Sequence, residues 1–207
     1  MLGPPASGKG TLAEMIQRKH GIPVLSPGSV FRAEKQKGTL LGETANRLTR
    51  SGQLLPDEAV MQVVRGWVHE RGSEFVFDGF PRTLGQAISV ETFLKERSLS
   101  LDVVILLEAD VDTLQRRVEQ RLICDQCGRI VSALLQRQSN GQKCSACEGT
   151  LVRRDDDTLE TLSRRLHEYR EKTEPLIEFY RERDLLQTID SMRLPEDVFR
   201  SVEVILQ

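Results

Sequence analysis

Gly3-Pro4-Pro5-Ala6-Ser7-Gly8-Lys9-Gly10-Thr11 is the stretch on which the reading of the chain turns. Gly3, Gly8 and Lys9 fall in the register of a phosphate-binding loop, G-x-x-x-x-G-K-[ST], which follows a strand and opens a helix. Backbone N–H groups of such a loop turn inward around phosphate oxygens. That requires glycine where φ is unusual or a side chain would clash. The helix after it points its N-terminus at the anion. Lys9 adds a positive charge that can follow a phosphoryl group during transfer. Position 10 is glycine, so the hydroxyl comes one residue late, at Thr11. Read alone, the same stretch also fits a ligand-free, glycine-rich strand-to-helix turn.

Only Met1 and Leu2 precede the loop. A strand feeding it should be longer, so further residues are expected in front. Behind it, Leu12, Met15 and Ile16 recur at helical spacing, and Gly21 with Pro23 ends that helix. Ile22 to Leu25 reads as a short strand. Ser26-Pro27-Gly28-Ser29 reads as a turn, with Ser29 as N-cap of a helix carrying Phe31 and Arg32. From Lys35 to Leu55 the chain is mostly polar, with Gly38, Gly42 and Gly52, and predicts a small mobile flap rather than core. Asp57 opens an amphipathic helix with Val60, Val63, Val64, Trp67 and Val68 on one face. Phe75-Val76-Phe77-Asp78 reads as a buried strand ending on a carboxylate, and Gly79-Phe80-Pro81-Arg82-Thr83 as a loop. A helix from about Gln86 to Arg97, a strand Val103 to Leu107 and a helix near Val111 to Arg121 follow. Further on, Asp157 and Glu160 fit a capping-box spacing ahead of Leu159, Leu162, Leu166 and Tyr169. Pro175 starts another helix, Leu186 to Ile189 forms a last strand and Glu196 to Leu206 a last helix. Strands alternating with helices indicate parallel βαβ units.

The 207 residues suffice for one full core with an insertion. A hydrophobic content of 39% and a charged content of 29% are those of a soluble globular protein. The net charge of -2 gives no global pull toward nucleic acid or an anionic membrane. No apolar run approaches the ~20 residues of a membrane span, and no segment reads as a signal peptide. All four cysteines lie in two pairs, Cys124/Cys127 and Cys144/Cys147, with 16 residues between the pairs. This is zinc-site spacing, and four cysteines leave no open coordination position, so the role would be structural. Disulfides are the rival reading, which nothing secretory supports. The segment from about Gln120 to Asp157 therefore reads as an insertion with its own metal-centred nucleus. It holds too few apolar residues to fold unaided.

Together, the GPPASGKGT loop, the DGFPRT stretch at Asp78 to Thr83, the four-cysteine insertion and their order resemble the adenylate kinase family, in its bacterial form with a long, zinc-bearing lid. The resemblance covers nearly the whole chain. It implies a P-loop NTPase three-layer α/β fold with a five-stranded parallel sheet. The core would comprise residues 1–25, 56–119 and 158–207, with a monophosphate-binding flap at 26–55 and the lid at 120–157. It implies that Ala6, Ser7, Gly8, Lys9, Gly10 and Thr11 hold ATP, with Arg117, Arg121 and Arg193, and that Asp78 holds Mg2+ through water. AMP would lie against Pro27, Arg32, the backbone of Gln53, Leu54 and Leu55, and Gly79, Phe80, Pro81 and Arg82. Gln86 would read the adenine edge, and Arg154 and Arg165 would bridge both nucleotides. The implied catalytic set is Lys9, Asp78, Arg82, Arg121, Arg154 and Arg165, and the metal ligands are Cys124, Cys127, Cys144 and Cys147. The implied reaction is ATP + AMP ⇌ 2 ADP, by a cytoplasmic enzyme taken to be a monomer without nucleic-acid or membrane partners.

Two positions depart from the family pattern. Pro27 and Ser29 stand where threonine and aspartate are usual, and Pro27 removes a hydroxyl and an N–H near the acceptor base. Weakened adenine preference, and hence a kinase for another nucleoside monophosphate, is the alternative. Ala6, where the family usually has glycine, is expected only to stiffen the loop. Asp155-Asp156-Asp157 reads equally as a solvated acidic run and as a latch onto arginine. A zinc-ribbon module for nucleic acid would want aromatic residues beside Arg129, Arg137 and Lys143, and the insertion has none. His20, His69 and His167 read as surface or helix residues.

Overall fold

The computed structural model describes residues 1–133 and 143–206. Arg137, one of the insertion's basic residues, lies outside them. The helices are α1 (Lys9–His20), α2 (Pro27–Gln36), α3 (Leu40–Arg50), α4 (Asp57–His69), α5 (Leu84–Lys95), α6 (Val111–Gln120), α7 (Leu159–Glu168), α8 (Pro175–Arg181) and α9 (Pro195–Ile205). A π-helical turn, Tyr169–Thr173, joins α7 to α8. The strands are β1 (Val24–Leu25), β2 (Val76–Phe77), β3 (Val104–Glu108), β4 (Arg121–Cys124), β5 (Ile130–Ser132), β6 (Leu151–Val152) and β7 (Leu186–Asp190).

The strands near the loop are parallel. β1 pairs with β2, Val24 opposite Val76 and Leu25 opposite Phe77. β3 pairs with β7 from Val104 opposite Leu186 to Glu108 opposite Asp190. Leu2 bridges in parallel to Leu106, its N–H donating to Ile105 O at 2.7 Å, while the Met1 amine donates to Phe77 O at 2.7 Å. The apolar run at β3 is buried on both faces, as parallel strands under helices require. One apolar cluster joins α4 and α5 to Leu25, Phe77 and Phe80. A second joins α1 and α9 to Ile105, Leu107 and Ile189. Helices thus cover strands from two sides, and the strand ends are left free to carry the site.

Local chemistry explains the helix ends. α1 stops at Gly21, whose left-handed φ of 71° lets its N–H reach Gln17 O. α2 begins at Pro27, not after Ser29. Pro27 takes the first helical position, where its missing N–H costs nothing. Ser29 Oγ instead accepts from Arg32 Nη2 at 2.6 Å. α7 is capped by Thr158, whose side chain accepts from Thr161 N–H, and not by Asp157. The polar stretch after Lys35 is helical over Leu40–Arg50, with turns on either side. Of α3 only Gly42 and Ala45 are buried, and Leu40 is 80% exposed. β5, β4 and β6 form a separate antiparallel sheet in that order. Its apolar nucleus is Leu151 with Cys124 and Cys144, as small as the insertion's composition implied.

Candidate active site

A single cleft of 580 Å3 runs between the glycine loop, the tip of β2, α2 and the root of the antiparallel sheet. The chain folds so that Asp78 N–H bonds to Leu25 O at 2.8 Å, which puts the Asp78 carboxylate just past the end of β2. Asp78, Gly79, Pro81 and Arg82 all line the cleft. From the loop come Ala6, Ser7, Gly8, Lys9, Gly10 and Thr11. Arg32 enters from α2, with Gln53 and Leu54 from the end of the same segment. Arg117, Arg121, Arg129, Arg154, Arg165 and Arg193 complete the basic lining. Four expected acceptor-site residues do not line it: Pro27, Leu55, Phe80 and Gln86. Phe80 is core, 1% exposed. The Gln86 amide is engaged at both ends. It accepts from Arg82 N–H at 2.8 Å and donates to Asp57 Oδ1 at 2.7 Å.

Lys9 Nζ curls back over its own loop, donating to Gly3 O and Pro4 O at 2.7 Å each and to Ser7 Oγ at 3.2 Å. Burial lowers its pKa to about 7, helped by Arg82 and Arg121 and opposed by Asp78. Gly10 has a reason to lack a side chain. A Cβ there would lie 3.0 Å from Ile130 Cδ1, which reaches over the loop from β5. The insertion therefore sits directly on the start of α1. Arg129 Nε also pairs with Glu14 Oε1 at 2.8 Å, one turn further along that helix.

Arg121, Arg154 and Arg165 are held by carboxylates. Arg121, at the start of β4, donates from Nε to Asp157 Oδ2 at 2.6 Å and also from Nη2 to Oδ1, and the Asp157 side chain is 1% exposed. Arg154 takes both oxygens of Asp156, at 2.9 and 2.8 Å, and Arg165 bonds to the same carboxylate. Burial pushes the Asp156 carboxyl up, but Arg154 and Arg165 outweigh it and hold it well below the usual carboxylate range. The acidic run is thus a latch at Asp156 and Asp157. Asp155 is solvated and makes one exposed pair with Lys35 Nζ at 3.2 Å. Burial, then Arg154, pulls Arg32 down to about 9, still charged at neutral pH. Burial also lowers Arg82 and Arg165. A cavity where crowded cations repel one another binds polyanions, because an incoming phosphate relieves the repulsion. Arg117 donates to Ser191 O at 2.5 Å, and Arg193 to Ser201 Oγ at 3.1 Å. Glu168, Tyr169 and Thr173 also reach the cleft, and no motif marks them.

The sequence has known relatives. The family model described as adenylate kinase matches residues 1–185. The chain belongs to the adenylate kinase family. The chain is 38% identical over 208 residues to an adenylate kinase of Archaeoglobus fulgidus, covering 100% of this chain and 96% of that protein. It is 39% identical over 212 residues to one of Pseudothermotoga lettingae, covering 100% and 98%. It is 41% identical over 195 residues to one of Syntrophotalea carbinolica, covering 93% and 90%. For an adenylate kinase family member, a P-loop α/β fold and nucleoside monophosphate kinase chemistry follow. Nothing in these relatives favours a different acceptor.

The four thiols come together. Their Sγ atoms all lie within 4.8 Å of one another. Cys124 and Cys147 are 3.4 Å apart, and Cys127 and Cys144 3.6 Å. Those separations exceed a disulfide bond of ~2.05 Å. They fit a tetrahedron with Zn–S of about 2.3 Å, whose edges are about 3.8 Å. Cys127 N–H and Ala146 N–H point at Cys124 and Cys144 Sγ. The first of these is the main cause lowering Cys124 to about 7, toward thiolate. The residues fit one zinc ion, and among the described residues they are the one cluster that could hold a metal.

Proposed function

We propose that the cleft transfers the terminal phosphoryl group of ATP to AMP, giving two ADP. One observation carries the reading: Lys9, Arg32, Arg82, Arg121, Arg154 and Arg165 converge on one cleft in a chain of the adenylate kinase family. Phosphoryl transfer asks for little covalent work from the protein. It asks for aligned donor and acceptor and for positive charge on the moving oxygens. In this reading the ATP phosphates lie on the loop from Ala6 to Thr11. Lys9 leaves the carbonyls of Gly3 and Pro4 to bond them. Arg117, Arg121 and Arg193 flank ATP. Arg32 and Arg82 grip the AMP phosphate beside Gln53 and Leu54. Arg154 and Arg165 span both. The acceptor phosphate has a second pKa of about 6, so it is largely ionised at neutral pH and no protein base is required. Mg2+, when bound with ATP, neutralises charge shared between the phosphate oxygens. Asp78, a hard oxygen donor facing the loop, would hold it through water. Closing the cleft keeps water from competing as acceptor.

The same reading extends to architecture. The parallel pairs, the Leu2 bridge to Leu106 and the Met1 bond to Phe77 support one five-stranded sheet, ordered β1, β2, residues 1–3, β3 and β7. Residues 1–25, 56–119 and 158–207 form the core, 26–55 the acceptor flap and 120–157 the lid. The protein works as a cytoplasmic monomer without nucleic-acid or membrane partners. No described helix is long and apolar enough to cross a membrane.

A panel of AMP, CMP, UMP and GMP, each with ATP and Mg2+ in a coupled ADP-release assay, tests the function. AMP should be preferred, because Pro27 fills a first-turn position that needs no N–H. A comparable rate with any other monophosphate would overturn the acceptor assignment. No transfer to any of them would overturn the reaction.

A further inference from the structure

We propose that Thr173 is a positioning residue for the transfer, holding Arg82 in register with Arg165. The proposal rests on the phosphate-gripping roles given above to those two arginines.

Arg82 is fixed through its backbone as well as its side chain. Its N–H donates to Gln86 Oε1 at 2.8 Å, and its carbonyl accepts from Thr173 Oγ1 at 2.8 Å. Its Nε donates to Gly79 O at 2.8 Å. The Gln86 clamp is itself anchored, because Asp57 takes Gln86 Nε2 through one oxygen and Thr83 Oγ1 through the other, at 2.7 and 2.8 Å. Gln86 is 2% and Thr173 6% exposed, so both bonds are made away from water. One side of the clamp is local. The other comes from 91 residues away along the chain.

That distant side leads straight to the second arginine. Thr173 closes the π-helical turn that continues α7, the helix carrying Arg165. Glu174 N–H bonds to Tyr169 O at 2.8 Å, one residue wider than an α-helical bond. An extra residue in one turn rotates everything beyond it by roughly 100°. The wide turn therefore decides which way Thr173 faces, and it faces Arg82 and the cleft. A helical threonine commonly satisfies its hydroxyl on a carbonyl of its own helix. Thr173 gives that hydrogen bond to Arg82 instead. The two guanidiniums come from different elements, and the distance between them matters only to a reaction that needs both. Wide turns of this kind recur at functional sites for such reasons.

Thr173→Val keeps the shape and removes the donor. It should lower kcat/KM for AMP roughly tenfold, as small misplacements of a positioning group do. KM for ATP should stay within about twofold of the parent, since the hydrogen bond removed is to Arg82, which the reading places on the AMP phosphate. Thr173→Ser, which keeps the hydroxyl, should restore kcat/KM to within about threefold. In an Arg82→Ala background, Thr173→Val should add less than about twofold, because coupled groups are non-additive. If Thr173→Val does not fold, Thr173→Ala carries the same expectations. Normal kcat/KM for AMP in either variant overturns the proposal. So does an equal loss toward ATP and AMP with a lowered Tm, or a full multiplicative loss in the Arg82→Ala background. Should Arg82→Ala alone keep parental kcat/KM, the acceptor-site reading itself fails, a separate result.

Discussion

At the scale of single residues the loop is set by what it cannot hold. Gly3 has φ 140°, and a Cβ there would lie 2.5 Å from Leu107 O and 2.8 Å from Ser7 Oγ. Strain and backbone clash act together, so Gly3→Ala should cost at least roughly 2 kcal/mol and lower Tm by about 4 °C or more. An unchanged Tm in scanning calorimetry would mean that the loop is built differently. Ala6 is a subtler case. It holds φ 66°, where an alanine costs about 1–2 kcal/mol relative to a right-handed residue, while its methyl packs on the cluster of Leu114, Val118, Leu162 and Leu166. The methyl therefore offsets strain as well as stiffening the loop. Lys9 makes a prediction about protons. With a free-enzyme pKa of about 7, it is mostly neutral at pH 8. A bound phosphate chain favours the ammonium and raises that pKa, so binding takes up close to one proton there. Below about pH 6 the lysine is charged in both states, so uptake fades. Titration calorimetry of ADP at pH 8, in buffers of different ionisation enthalpy, measures it, and Lys9→Met should abolish it. Zero uptake in the parent would mean that the carbonyls of Gly3 and Pro4 already keep the ammonium charged.

At the scale of elements, the sequence spoke clearly wherever one chemistry allows few residue types. The glycine loop and Asp78, Gly79, Pro81 and Arg82 line one cleft, and the paired cysteines come together, while Phe80 of the same stretch goes to the core. It spoke poorly where several residues could do the same job. Ser26 and Ser29 both cap well in principle, and the choice fell to Pro27, which suits the first helical turn. Asp157 has the spacing of a cap, yet the buried Arg121 claims its carboxylate and leaves Thr158 to cap α7. The acidic run read equally as a latch onto arginine, but which carboxylate takes which arginine was not legible, nor was Thr173 as a partner of Arg82, because pairings across the fold leave no local period in the chain. The lid makes its own prediction. With Leu151 and two cysteines as its nucleus, the antiparallel sheet depends on metal for stability. Purified protein should contain about one zinc per chain. Cys144→Ser should speed amide exchange in β4, β5 and β6, while α1, β3 and α9 exchange as before. Metal-free protein with thiols joined as disulfides would overturn the site.

At the scale of the whole molecule, magnitudes separate the ion pairs that merely touch across the cleft from those that shape it. Two exposed pairs tie α2 and α1 to the segment that carries the antiparallel sheet. Lys35 on α2 meets Asp155 at 3.2 Å with side chains 40% and 65% exposed, and Glu14 on α1 meets Arg129 at 2.8 Å with 38% and 27% exposed. Water and salt reduce such pairs to about 0–1 kcal/mol. Arg121 with Asp157 is another matter. It is bidentate, its side chains are 14% and 1% exposed, and it sits where β4 leaves α6. Removing one member leaves the other's charge without a partner away from water, a loss of about 3–5 kcal/mol. Lys35→Ala and Glu14→Ala should therefore each change kcat/KM for ATP by less than about fivefold. Asp157→Ala should lower Tm by about 6–20 °C, at roughly 2–4 °C per kcal/mol for a chain of this size. It should also raise KM for ATP, because Arg121 is no longer aimed. Closure would then be driven by the nucleotide phosphates meeting crowded arginines, with the surface pairs contributing little. A large loss from Lys35→Ala with a mild effect from Asp157→Ala would reverse that ranking and make the flap-to-lid contact the element that holds the cleft shut.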